Sequence, residues 1–234
     1  MHPIEINNVT KDFGQGRGVF DISFSVKKGE VFGYLGPNGA GKSTTIRQLL
    51  GFIKPQKGSI QMFGMDCFGQ AAQIHKRIGY LAGEIAFVDN MKGMEYIRFI
   101  AQLRGMKNDA RMKELIDMFD LNPTGKIRKM SKGMKQKIAI VTAFMDSPEV
   151  VILDEPTSAL DPIAEQDIYM RFHEMVQEKT ALFISHRMSS CRFCSRVIVF
   201  DDGQIVESGT HAELASIENG IYRKMWEAQA HYYV

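Results

Sequence analysis

The segment Gly36-Pro37-Asn38-Gly39-Ala40-Gly41-Lys42-Ser43-Thr44 constrains this chain more than any other. It is an unbroken G-x-x-x-x-G-K-[ST]. A strand-like run, Val31-Phe32-Gly33-Tyr34-Leu35, leads into it, and Thr45-Ile46-Arg47-Gln48-Leu49-Leu50 continues as a helix. Glycines let successive backbone N–H groups turn toward one point, and the following helix aims its positive end there. That geometry suits phosphate oxygens. Lys42 offers a point charge to terminal phosphates, and Ser43 a hydroxyl ligand for magnesium. A plain glycine-rich turn is the competing reading, and the full strand–loop–helix context weighs against it.

A second segment complements the first. Val150-Val151-Ile152-Leu153 ends abruptly in Asp154-Glu155, then Pro156-Thr157-Ser158-Ala159-Leu160-Asp161. Four apolar residues before two carboxylates read as a buried strand delivering acids to the carboxyl edge of a sheet. Asp154 can hold a magnesium ion and Glu155 can orient a water.

The chain has 234 residues, enough for one domain with a subdomain and a buried core. Its net charge of +2 offers no argument for a nucleic-acid partner. No apolar run is long enough to span a bilayer, and Met1-His2-Pro3-Ile4-Glu5 does not open a signal peptide. The expectation is a cytoplasmic protein whose membrane role, if any, needs another chain. Cys67, Cys191 and Cys194 are an odd count that argues against a disulfide framework. Cys191-Arg192-Phe193-Cys194 is a lone C-x-x-C and reads as two small packing residues one helical turn apart.

The pattern along the chain begins with strands at Ile4–Val9 and Val19–Val26, a turn at Lys27–Glu30, and further short strands at Ser59–Gly64 and Ile78–Leu81. From about Glu84 to Met145 the period becomes helical, with Met94, Ile97 and Ala101, then Met112, Leu115, Ile116 and Phe119 as core positions. Asn122-Pro123-Thr124-Gly125 breaks that block. Pro162 opens a helix to about Glu178, Ala181–Ile184 is a buried strand, and Val197–Val206 reads as a hairpin turning at Asp201–Gln204. His211 to Val234 reads as helix. The sum is an α/β fold, a phosphate-loop NTPase core of layered sheet and helices. It carries an N-terminal antiparallel β subdomain and an inserted helical subdomain at 84–145, with 1–83 and 146–234 forming the nucleotide core.

A third element is Met130-Ser131-Lys132-Gly133-Met134-Lys135-Gln136-Lys137. Ser131 is a good N-cap for a helix from Lys132 to about Phe144, and Gly133 permits close approach of a phosphate. Lying between the phosphate loop and the acidic strand, this segment resembles the signature of ATP-binding-cassette (ABC) ATPases. The motif order follows that family from about Ile4 to Glu213.

The resemblance implies roles for particular residues. Phe13 is similar to the aromatic that stacks on adenine. Gly36, Pro37, Asn38, Gly39, Ala40, Gly41, Lys42, Ser43 and Thr44 match the residues that bind the phosphates of ATP. Ser43 and Asp154 match the residues associated with Mg2+. Glu155 resembles the general base, and His186 the histidine that contacts the γ-phosphate. Asp161 matches the aspartate of a loop that crosses the dimer interface. Ser131, Lys132, Gly133 and Met134 match the segment that caps the ATP of a facing domain. The resemblance therefore implies two such domains packed head to tail, a second copy or a homologous ATPase domain. It also implies a transmembrane transporter subunit as partner and a place on the cytoplasmic face of the membrane.

Two departures stand out. Where the family has a Gln after the strand at Ile78–Leu81, this chain reads Ala82-Gly83-Glu84. Gly83 takes the Gln position, which leaves Glu84 as a substitute metal-associated residue. Lys132 and Met134 replace residues that are more often Gly and Gln. Residues up to about Met145 resemble separate ATPase chains of bacitracin-resistance and multidrug exporters. From about Ser158 the chain resembles ATPase domains of fused exporters. A hybrid joined near the acidic strand and a single lineage with mixed features both fit. The leading functional expectation is a transport-coupled ATPase. Its alternatives are a soluble cassette ATPase outside transport and a nucleotide-binding module with little turnover.

Overall fold

The computed structural model describes residues 2–88, 90–156, 168, 170–172, 174–176, 179–185 and 188–230. Its contacts divide the chain into two compact units, residues 1–75 with 176–234 and residues 76–175.

The first unit is built on two groups of strands. Strands β1 (Ile4–Asp12), β2 (Gly18–Val26), β4 (Lys57–Met62) and β5 (Met65–Asp66) form an antiparallel sheet in the order β2-β1-β4-β5. The turn from β4 to β5 uses Phe63 and Gly64 at φ 55° and 75°, so β4 stops short of the Ser59–Gly64 span expected from sequence. Strand β3 (Val31–Leu35) lies between β8 (Thr180–Ile184) and β9 (Arg196–Asp201), parallel to both. Strand β10 (Gln204–Gly209) pairs antiparallel with β9 through a turn at Asp202 and Gly203, both at positive φ, as the hairpin pattern predicts. Buried β3, β8 and β9 read as continuous apolar runs because both faces are covered. Aromatic packing joins the strands of this unit: Phe24 stacks on Phe32 at 5.3 Å, and Tyr34 meets Phe200 at 4.4 Å.

One polar pin holds this arrangement. Arg196 of β9 donates to Glu30 at 2.8 Å and to the carbonyl of Ser25, and its guanidinium lies 4.6 Å from the Phe32 ring. The Glu30 side chain is only 9% exposed, so without Arg196 its carboxylate keeps the Lys27 N–H but loses its charge partner. Arg196→Ala should lower unfolding free energy by about 2 kcal/mol, less than the ~3–5 kcal/mol for a fully buried pair because the Arg196 side chain is 31% exposed. Urea denaturation at pH 7 checks this, and an unchanged midpoint would contradict it.

The tail of this unit is two helices rather than one. Helix α6 (His211–Ser216) is closed by a capping box between Thr210 and Glu213. Ile217 is extended and Asn219 has φ 60°, which ends it. The next helix, α7 (Ile221–Ala230), starts where Glu207 of β10 accepts the N–H groups of Ile221 and Tyr222. The carboxylate at that helix start satisfies donors that lack intrahelical partners.

In the second unit β6 (Ile78–Leu81) pairs parallel with β7 (Val150–Asp154), from Ile78 opposite Val150 to Leu81 opposite Leu153. Helices α3 (Gly93–Leu103), α4 (Ala110–Met118) and α5 (Lys132–Phe144) fill the segment between them. The helical block begins at Gly93 rather than near Glu84, where Glu95 accepts the N–H of Lys92 at 2.9 Å. Residues 84–88 and 90–92 are outside helix. Of the expected core positions, Ile97, Met112, Leu115 and Phe119 are buried, whereas Met94, Ala101 and Ile116 are half-buried at the margin of the packed face. Helix α5 packs on β6 so closely that a Cβ on Gly79 would meet the Ala143 carbonyl at 2.2 Å. The helix expected from Pro162 falls largely outside the described residues, of which 168, 170–172 and 174–176 are helical.

Among the described residues, no helix is long and apolar enough to cross a membrane. The three cysteines are buried and outside any disulfide. Cys191 lies in a 3-10 turn (Met188–Phe193) with Cys194 just beyond it, and the Cys194 sulfur packs against Gly33 of β3. Burial pushes the Cys194 thiol well up, and burial together with Asp66 pushes that of Cys67 to about 12. Neither is a reactive thiolate.

Candidate functional site

In the first unit, β3 delivers the chain into the loop Gly36–Gly41 and helix α1 (Lys42–Leu49) carries it on. Two glycines make this path possible. Gly36 has φ 151°, and a Cβ there would lie 2.4 Å from the Phe200 carbonyl. Gly41 has φ 100°, and a Cβ there would lie 2.5 Å from Val19. Any side chain at either position meets both backbone strain and a packed neighbour.

Gly41 is the N-cap of α1 and supplies no side-chain acceptor, and no acid stands in the first helical turn. The N-terminal amides are therefore uncapped by side chains and suited to an external anion. Lys42 is buried, and its Nζ donates to the carbonyls of Gly36 at 2.6 Å and Pro37 at 2.9 Å. The lysine thus folds along the inside of the loop with its charge at the helix start. Pro37, Asn38, Gly39 and Ser43 are exposed, Thr44 is half-buried and Ala40 is buried. Phe13 sits in the β1–β2 loop, 50% exposed, with Lys11 Nζ 5.5 Å from its ring. That loop leads to Gly18, whose carbonyl is 2.9 Å from where a Cβ on Gly41 would stand.

In the second unit, Val150 to Leu153 are fully buried and Asp154 is half-buried at the end of β7. Glu155 follows at φ 47°, a left-handed conformation that a non-glycine residue adopts at a cost of about 1–2 kcal/mol. Gly83 lies beside this turn, and a Cβ on it would be 3.3 Å from the Asp154 carbonyl and 3.6 Å from Glu155 Cβ. Glu84 is exposed. Ser131 caps α5, with the Met134 N–H donating to its hydroxyl at 3.2 Å, and the helix spans Lys132 to Phe144 as its sequence predicts. Ser131 and Lys132 are exposed, Gly133 and Met134 half-buried. Lys126, Arg128 and Lys129 just before them are exposed, so this helix start stands in a positive field.

Asp161 and His186 lie outside the described residues. One residue carried no role in the sequence reading: Gln136, buried on α5, donates its amide N–H to the Pro156 carbonyl. Its signal was available, because a glutamine interrupts the apolar face of a helix and a buried amide needs a partner.

The donor chemistry can be set against a nucleotide with magnesium. Among the described residues, no cluster of three or more His, Cys, Asp or Glu side chains could hold a metal. Magnesium keeps waters and uses one or two protein oxygens beside substrate phosphates, so a serine hydroxyl and a single carboxylate fit it.

Comparison with known proteins places residues 19–158 under a family model described as ABC transporter. The chain is 31% identical over 217 residues to the probable multidrug ABC transporter ATP-binding protein YbhF of Escherichia coli (strain K12). That alignment covers 90% of this chain and 38% of YbhF, so the chain spans about two fifths of that relative. It is 34% identical over 209 residues to the bacitracin transport ATP-binding protein BcrA of Bacillus licheniformis, covering 87% of this chain and 68% of BcrA. Among solved structures, a bacterial Atm1-family ABC exporter with ATP bound superposes with a TM-score of 0.86 at 27% identity, covering 98% of this chain and 42% of that one.

Proposed function

The chain belongs to the ABC transporter family, and on that premise we propose that it is an ATP-binding and ATP-hydrolysing subunit of an export-type transporter. It works as a head-to-tail dimer, with a second copy or a homologous ATPase domain, and drives a separate transmembrane subunit from the cytoplasmic face of the membrane. The observation that carries this reading is the start of α1, where no side chain caps the helix and buried Lys42 lines the loop. A polyphosphate anion is the ligand such a place selects.

The roles follow from residue chemistry. Gly36 to Thr44 hold the phosphates by backbone N–H groups and the Lys42 charge, and Phe13 offers an exposed ring for the base. Ser43 and Asp154 serve magnesium, which when bound neutralises charge on the phosphates. Glu155 accepts a proton from the attacking water, and His186 contacts the terminal phosphate. Ser131 to Met134 cap the nucleotide of the facing domain, and Asp161 lies in the loop that crosses between domains. Residues 84–145 act as the inserted helical subdomain that meets the membrane partner, and 1–83 with 146–234 hold the nucleotide. Gly83 offers no side chain at the position where the family places its Gln. Glu84 therefore matters only if it turns toward the metal.

Magnesium-dependent phosphate release, measured across a series of protein concentrations, tests the reading. Activity per chain should rise with concentration. Ser131→Arg should leave ATP binding to the monomer unchanged and flatten that rise, because a bulky cation blocks the capping surface. Concentration-dependent turnover that survives Ser131→Arg would contradict the head-to-tail arrangement. Tight ATP binding with no turnover would favour a nucleotide-binding module instead.

A further inference from the structure

Helix α5 does two things at once. Its exposed N-terminus presents Ser131 and Lys132, and one turn further on Gln136 points inward, 5% exposed. Gln136 Nε2 donates at 2.5 Å to the carbonyl of Pro156, the residue after Glu155. Beyond it Ile138, Ala139, Ile140, Val141, Ala143 and Phe144 are buried, and Gly79 lets the helix backbone approach β6 closely. The helix is therefore packed firmly enough for its first half to act as a rigid post.

The Glu155 turn needs such a post. A glutamate at φ 47° is held in a region that costs about 1–2 kcal/mol, so it relaxes unless its surroundings determine it. Pro156 is buried, and its carbonyl gains its partner from Gln136. A buried amide left without that partner would itself be penalised, so the bond is favoured from both ends.

We propose that Gln136 is a positioning residue that fixes the direction of the Glu155 carboxylate and links it to the helix whose start caps the facing domain's nucleotide. This rests on the reading of Glu155 as the proton acceptor. Displacement of α5 when Ser131 engages a nucleotide is then transmitted through one hydrogen bond to the acid of the same chain. The two nucleotide sites of a dimer are coupled by that route.

The test uses Gln136→Met, which keeps the volume and loses the donor. Turnover at saturating ATP should fall about ten- to a hundredfold, the scale of a small misplacement of a reacting group, with the ATP dissociation constant changed less than about twofold. In a Glu155→Gln background the same substitution should cause no further loss, because the residue it positions is already disabled. Equal losses in both backgrounds, or unchanged turnover in Gln136→Met, would overturn the proposal. Hydrogen exchange of a peptide covering 150–156 gives a readout independent of activity. Exchange there should quicken in Gln136→Met while that of β1 and β2 stays as it was, and unchanged exchange in 150–156 would also overturn it. A wild-type chain that binds ATP without hydrolysing it would count against the reading of Glu155. In that case the exchange measurement still decides whether Gln136 holds the turn.

Discussion

Glu155→Gln should bind ATP as the parent chain does and release phosphate about 10²- to 10⁴-fold more slowly, the range a positioned general base supplies. The substitution is close to isosteric and keeps a residue able to occupy the φ 47° turn. It removes only the capacity to take up a proton. Closure of two domains around ATP does not need that capacity, so the variant should accumulate an ATP-bound dimer. Light scattering with and without magnesium ATP, beside single-turnover hydrolysis, reads both effects. Normal hydrolysis by Glu155→Gln would mean that another group is the base, and Asp154 would be the next residue to replace.

Lys42→Ala should have an effect as large on binding. The ammonium is buried at the start of α1 and donates to two loop carbonyls. Charge-assisted hydrogen bonds to phosphate contribute about 1.5–3 kcal/mol each. Losing two of them should weaken ATP binding by about a hundredfold or more. Titration calorimetry measures the loss, and thermal unfolding without nucleotide separates it from damage to the loop. Micromolar binding retained by Lys42→Ala would remove the phosphate-loop assignment.

Both predictions start from motifs legible in the linear chain, because both motifs are short. A phosphate loop is written in glycine spacing and in the residues that open the next helix. The Ser131 cap and the limits of α5, Lys132 to Phe144, were readable for the same reason. So were the limits of β6, Ile78 to Leu81, and the Asp202-Gly203 hairpin. For the cap and the hairpin turn the deciding contact lies within a few residues, and β6 shows as a short apolar run.

Other features depend on residues far apart in the chain. The tail was expected as one helix and is two. Glu207 on β10 sets the start of α7, and Thr210 with Glu213 sets that of α6. The helical block opens at Gly93 because Glu95 turns back to Lys92, a side-chain choice that hydrophobic period does not record. Arg196 and Glu30 are 166 residues apart, and they pair because β3 and β9 become neighbours.

The sequence by itself determined which residues offer phosphate-binding amides, a cation, carboxylates and a capping serine, because those are properties of residue type and short spacing. Tertiary structure alone decided that Glu155 would sit in a left-handed turn, that Gly83 would lie against Asp154, and that Gln136 would reach the Pro156 carbonyl. The physical reason is range. Capping and turn formation draw on a handful of adjacent residues. The direction of a catalytic side chain is settled by whichever distant segments pack beside it.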